Sequence, residues 1–115
     1  MAHIVIHMGS DGKIIKTFEF EAVIDSMIVL PPEKSKVLLT LAKAHKLALI
    51  DLVSQKVCEI PFNYINIDRM CFVRKLYFFK ESNLVCLHDY ANLEGLSRIT
   101  YFPLEGLTQV ASLHT

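Results

Sequence analysis

The sequence predicts an all-β protein built from four-stranded antiparallel units that repeat along the chain, and three observations predict it. An Ile-Asp-x-Met core is written twice, in VIDSMIVL at 23–30 and in NIDRMCFV at 66–73. Short runs rich in branched and aromatic residues alternate with polar turns, which is the strand signal. Between the two earliest runs stands GSDG, residues 9–12, the strongest hairpin turn in the chain.

Taken in order, the leading strand pair is Ile4 to Met8 and Lys13 to Phe20, a half unit joined by that turn. The first full unit reads as strands over Ser26 to Leu30, Val37 to Ala42, Leu47 to Leu52 and Lys56 to Phe62. The second reads as strands over Met70 to Val73, Leu76 to Lys80, Leu84 to Tyr90 and Ser97 to Leu104, with a turn at ESN, residues 81–83.

The units align beyond the doublet. KIIKTFEFEAVIDSMIVL from Lys13 lies over KVCEIPFNYINIDRMCFV from Lys56 without a gap, so that Lys13, Ile24, Asp25 and Met27 meet Lys56, Ile67, Asp68 and Met70. The second copy is then shorter. LALIDL from Leu47 falls on VCLHDY from Val85, pairing Asp51 with Asp89, and KVCEIPF sits over RITYFPL, pairing Pro61 with Pro103. The register predicts Met27 and Met70 at equivalent, buried positions.

Four antiparallel strands in roughly 40 to 45 residues is the period of a propeller blade. On these units the chain resembles the WD40-like β-propeller repeats over nearly its whole length. It reads as one module: a half blade at 1–22, a blade at 23–65 and a blade at 66–107. Of the family's signatures only the Asp closing the third strand persists, as Asp51 in LID and Asp89 in LHD; Gly-His and Trp-Asp are absent, and there is no tryptophan. The resemblance implies a partial β-propeller acting as a protein-interaction scaffold. Because a closed ring takes about four to eight blades, it also implies a longer chain or association between copies.

The alternative fold is α+β, with one helix near 33–48. PPEKSKVLLTLAKAHKLALIDLV is rich in the helix formers Ala, Leu and Lys, and Val37, Leu38, Leu41, Ala44 and Ala48 follow helical spacing. The second unit favours strands in the corresponding stretch, through Tyr77, Phe78, Phe79 and Val85.

Composition narrows the function classes. With 115 residues, 52% of them hydrophobic, the chain is the size of one ordinary domain and can bury a sizeable core. Basic and acidic residues balance at 12 each, so no basic field draws a nucleic acid or an anionic membrane. Cys58, Cys86 and Cys71 are an odd set without C-x-x-C spacing and read as buried free thiols, which fits an intracellular compartment, cytoplasmic or nuclear. The N-terminus lacks the features of a signal peptide, and no run approaches the length of a membrane span.

Residues with chemical potential read as structural. His7, Asp51, His88 and Asp89 come from the ends of third-type strands, which splay apart between blades beyond the reach of one ion. Asp51 and Asp89 are expected to cap turns by accepting backbone N–H bonds, and Asp25 and Asp68 to do so before the innermost strand, with lining of an axial ligand-binding end as the alternative for Asp25 and Asp68. Cys86 and His88 share a strand face at about 6 to 7 Å, too far for a direct Cys–His hydrogen bond. Ser10 in GSDGK lacks the spacing of a phosphate loop. No catalytic residue, metal site or cofactor is therefore expected.

Tyrosine and arginine are the residue types that dominate interfaces. Tyr64, Tyr77, Tyr90 and Tyr101, with Arg69, Arg74 and Arg98, are of these types; among them Tyr64, Arg69, Arg74 and Tyr90 are the candidates for partner contact, Arg69 because it replaces Ser26 at a repeated position. Neither end of the chain is polar, whereas repeat arrays need capping units with polar outer faces. The expected function is a non-catalytic protein–protein interaction scaffold that meets a protein partner or further blades of the same propeller, and that self-associates when isolated. A small α+β ligand-binding or enzymatic domain is the alternative.

Overall fold

The computed structural model describes residues 3–30, 35–41, 44–61, 71–91 and 97–113; at 71–74, 89–91, 97–98 and 110–113 it describes the backbone alone. The chain folds as an all-β protein of three antiparallel sheets. Sheet A pairs β1 (His3–Met8) with β2 (Ile14–Phe20). Sheet B orders β3 (Ser26–Leu30), β4 (Lys36–Leu41), β5 (Lys46–Asp51) and β6 (Lys56–Pro61) as a four-stranded meander. Sheet C orders β7 (Cys71–Phe79), β8 (Leu84–Ala91) and β9 (Ser97–Pro103), and helix α1 (Leu104–Leu113) follows.

Sheet B lies in the middle of the stack, and its sequence shows why. KVLLTL and KLALID are apolar on both strand faces, which suits strands covered on both sides. Register makes Leu38 share one face with Leu49, and Leu39 share the other with Ala48. On the first face Leu30, Leu38, Leu47, Leu49, Cys58 and Ile60 pack against Leu76, Val85 and Leu87 of sheet C and Leu107 of α1. On the second, Val37, Leu39, Leu41, Ala48 and Ile50 pack against Val5, Phe18 and Phe20 of sheet A. Each such fully buried aliphatic side chain contributes about 1.5–3 kcal/mol relative to exposure. The inner edges of sheets B and C also meet, where the Leu76 amide donates to the Ser26 hydroxyl oxygen at 3.0 Å.

The turns follow local chemistry. At the tip of the first hairpin Gly12 takes a φ of 81°, a left-handed conformation that glycine adopts without a Cβ clash. The Gly9 amide donates to the Lys13 carbonyl at 2.9 Å, and the Lys13 amide to Asp11 Oδ1 at 3.1 Å. Asn83 closes the ESN turn at a φ of 56°, which asparagine tolerates better than most residues.

Three expectations need correction. The second unit has three strands among the described residues, because Cys71–Phe79 is one continuous strand with a register shift at Arg74 in place of a turn. No Gly, Pro, Asn or Asp separates Val73 from Leu76, so the chain bulges and continues. The segment proposed for a helix near 33–48 holds β4 and β5; a helix is present, but at Leu104–Leu113. Met27 was expected to be buried and is 49% exposed, since β3 carries it on the face toward sheet A and sheet A does not extend over it. Met70 lies outside the described residues.

Candidate interaction surface

Alternation along the outer strands leaves each end of the stack with an apolar face toward solvent. On β1, Val5 points inward to the core while Ile4, Ile6 and Met8 point outward, with Ile6 52% exposed. Thr17 and Glu19 of β2 lie opposite Ile6 and Ile4 on that outer face. At the other end, Leu76, Val85 and Leu87 point inward and Tyr77, Phe79, Ile99 and Tyr101 outward, with Tyr101 54% exposed. The Phe79 and Tyr101 rings sit 6.1 Å apart, and Lys75 Nζ lies 5.2 Å from the Tyr77 ring centre. Each end of the stack thus carries several exposed apolar side chains on one face.

Sheet A is also narrower than the sheet it covers. Its two strands sit over the β4–β5 pair, leaving Met27 and Val29 of β3 on one flank and Val57 of β6 on the other exposed. An isolated two-stranded hairpin is marginal in water, so packing of Val5, Phe18 and Phe20 on sheet B holds it. Among the described residues no strand pairs with the outer edge of either β1 or β2.

Of the residues expected to contact a partner, Tyr64 and Arg69 lie outside the described residues. Arg74 falls at the β7 register shift and Tyr90 pairs in register with Phe72 and Ser97; for both, the backbone alone is described. Tyr77 and Tyr101 stood among the interface residue types in the sequence and are exposed, whereas Ile4, Ile6, Met8, Phe79 and Ile99, which share their faces, were read there only as strand residues or apolar ends. Strand alternation identified which side chains share a face, but not which face lacks a covering layer.

Among the groups with chemical potential, Asp51 caps a turn and Cys58 and Cys86 are buried. Asp51 Oδ1 accepts from the Val53 amide at 2.9 Å and the Ser54 amide at 3.2 Å, the turn-capping role expected from LID. The Asp25 amide donates to the Thr40 carbonyl at 3.0 Å. Burial pushes the thiol of Cys86 up from its ordinary range; burial and then the neighbouring Glu59 carboxylate do the same for Cys58. A thiol held protonated is a weak nucleophile. Among the described residues no group of three or more His, Cys, Asp or Glu is placed to hold a metal ion. No helix among them is long and apolar enough to cross a membrane.

Cys86→Ser is expected to destabilise the fold by about 1–3 kcal/mol, because the buried position offers a hydroxyl less than water does. His88→Ala, at a half-buried site, is expected to cost less. Urea denaturation of both variants checks the order, and a larger loss for His88→Ala would contradict it.

No protein-family model matches the sequence, and no curated protein and no solved structure matches it significantly.

Proposed function

We propose that the chain is a non-catalytic protein-interaction scaffold of WD40-like, propeller-type repeats, intracellular in the cytoplasm or nucleus, and part of a larger assembly that covers its two end faces. One observation carries this reading. Among the described residues, sheet B is buried on both faces by its neighbours, whereas sheets A and C, of similar apolar composition, each have a neighbour on one face only. The stack continues by the same packing if further blades, or a second copy, meet the ends.

The repeat register supports the reading. Lys13 aligns with Lys56, so β2 corresponds to β6 and β1 to β5, the outer half of a unit. An inner half unit supplied by a further blade or a second copy would pair with β1 and lie over Met27 and Val29, the apolar side chains that sheet A leaves exposed. Tyr64, Arg69, Arg74 and Tyr90 remain the proposed contacts for a protein partner. The balanced charge supports neither nucleic acid nor membrane as that partner, and the buried thiols of Cys58 and Cys86 support a reducing compartment.

Photochemical carbene footprinting tests this. As concentration rises, labelling of Ile4, Ile6, Ile99 and Tyr101 is expected to fall, while Val53, 81% exposed on the turn after β5, is labelled throughout. Unchanged labelling of the end faces at every concentration, in the presence of any further blades of the same chain, would contradict the proposal.

A further inference from the structure

Beside the outer edge of β2, sheets A and B splay apart and leave a cleft of about 590 Å³. One wall is β2 itself from Lys16 through Phe20 and on to Glu21; the floor includes Leu41 and Val57, with Glu59 and Lys46 joined as an ion pair at 3.7 Å. Three features coincide there. The β2 edge has no strand partner among the described residues, so its outward amide and carbonyl groups form a pairing template. The floor beneath that edge is apolar at Leu41 and Val57. The strand carries acidic Glu19 on its outer face, and Glu21 follows at the same alternation.

We propose that this cleft binds an extended peptide segment of a partner protein as a third strand of sheet A, added to β2, with apolar and basic residues alternating along it. The added strand's backbone completes the β2 hydrogen-bond ladder, which supplies affinity, and its alternate side chains supply selection. Inward residues lie beside Phe18 over Leu41 and Val57 and are apolar. Outward residues lie beside Glu19 and Glu21 and are basic, since opposite charges on neighbouring strands attract. An acidic segment meets two carboxylates there and is rejected.

The site deepens the scaffold reading and rests on it, because it gives the module a strand edge for a partner at the border of the end face that carries Glu19. The probe is a fluorescein-labelled acetyl-(Lys-Val)₃-Lys-amide peptide, read by anisotropy and by amide hydrogen exchange of the full chain. Saturable binding is expected, with slowed exchange across Lys16 to Phe20. The double variant Glu19→Lys, Glu21→Lys has its changes on exposed side chains and is expected to keep its melting temperature while binding about tenfold more weakly. A peptide N-methylated at alternate residues keeps its charge but loses backbone donors and is expected not to bind. Absence of saturable binding, binding that survives N-methylation, or protection confined to strands other than β2 would overturn the inference. If instead β2 becomes protected with rising concentration of the Ile6→Lys, Tyr101→Lys variant, whose charged end faces do not associate, and with no peptide, a second copy is the occupant of the edge and the peptide proposal is wrong. Loss of peptide binding with end-face association intact would remove this site alone and leave the scaffold reading standing.

Discussion

Leu38→Ala and Leu39→Ala are each expected to destabilise the chain by about 3 kcal/mol, within the range for emptying a well-packed leucine site, but to loosen different layers. Both side chains are fully buried, and adjacency in a strand sends them to opposite faces. Leu38 belongs to the core between sheets B and C; Leu39 belongs to the core between sheets A and B. Since folded domains retain only about 5–15 kcal/mol in total, either loss is a large share of the stability. Urea denaturation gives the magnitudes, and native-state amide exchange gives the location. Leu38→Ala should speed exchange first in β8, and Leu39→Ala in β1 and β2. If both substitutions loosened the same sheet, the three-layer stack would be wrong.

Much of this stack is legible in the chain. KVLLTL and KLALID are largely apolar on both strand faces, as suits strands covered on both sides, although the same run also fitted a helix; the GSDG turn and Asp51 cap follow from short-range chemistry that neighbouring layers do not alter. The half unit, the four-stranded unit and their order appear in the sequence at the positions of sheets A and B. The third sheet was less legible. Arg74 and Lys75 carry no turn signal, and whether such a pair bulges or breaks depends on the strand alongside; here β8 pairs on both sides of the shift. Helix α1 was hidden because Gly106, Thr108 and Val110 have weak helix propensity. It is held instead by Leu107 in the core, by the Leu104 amide donating to the Asn83 carbonyl at 3.1 Å, and by the Thr108 hydroxyl donating to the Leu104 carbonyl at 2.9 Å.

The candidate surface was legible only in outline. Tyrosine and arginine drew attention by type, yet the exposed faces rest as much on Ile4, Ile6, Met8 and Ile99, aliphatic residues that any strand pattern assigns to a core. Met27 illustrates the same limit. It stands on a strand face that a full-width neighbouring sheet would bury, and it is exposed because sheet A has two strands among the described residues.

The uncovered ends give the other large expected effect. Ile6→Lys and Tyr101→Lys place a charge at the middle of each outer face, on side chains already half in water, so the fold of one chain should change by roughly 0.5 kcal/mol or less. Covering those faces with another layer would then bury an unpaired ammonium group, which costs several kcal/mol and forbids the contact. Because the attraction is apolar, added salt should not weaken association of the unmodified chain.

Sedimentation velocity of the unmodified chain and of the Ile6→Lys, Tyr101→Lys variant, over a concentration series reaching tens of micromolar, tests the scaffold reading most directly. The unmodified chain is expected to sediment as a concentration-dependent, salt-insensitive assembly, and the variant as a folded monomer with an unchanged melting temperature. A soluble monomer for the unmodified chain across the whole series, or an assembly that the two lysines leave intact, would contradict it.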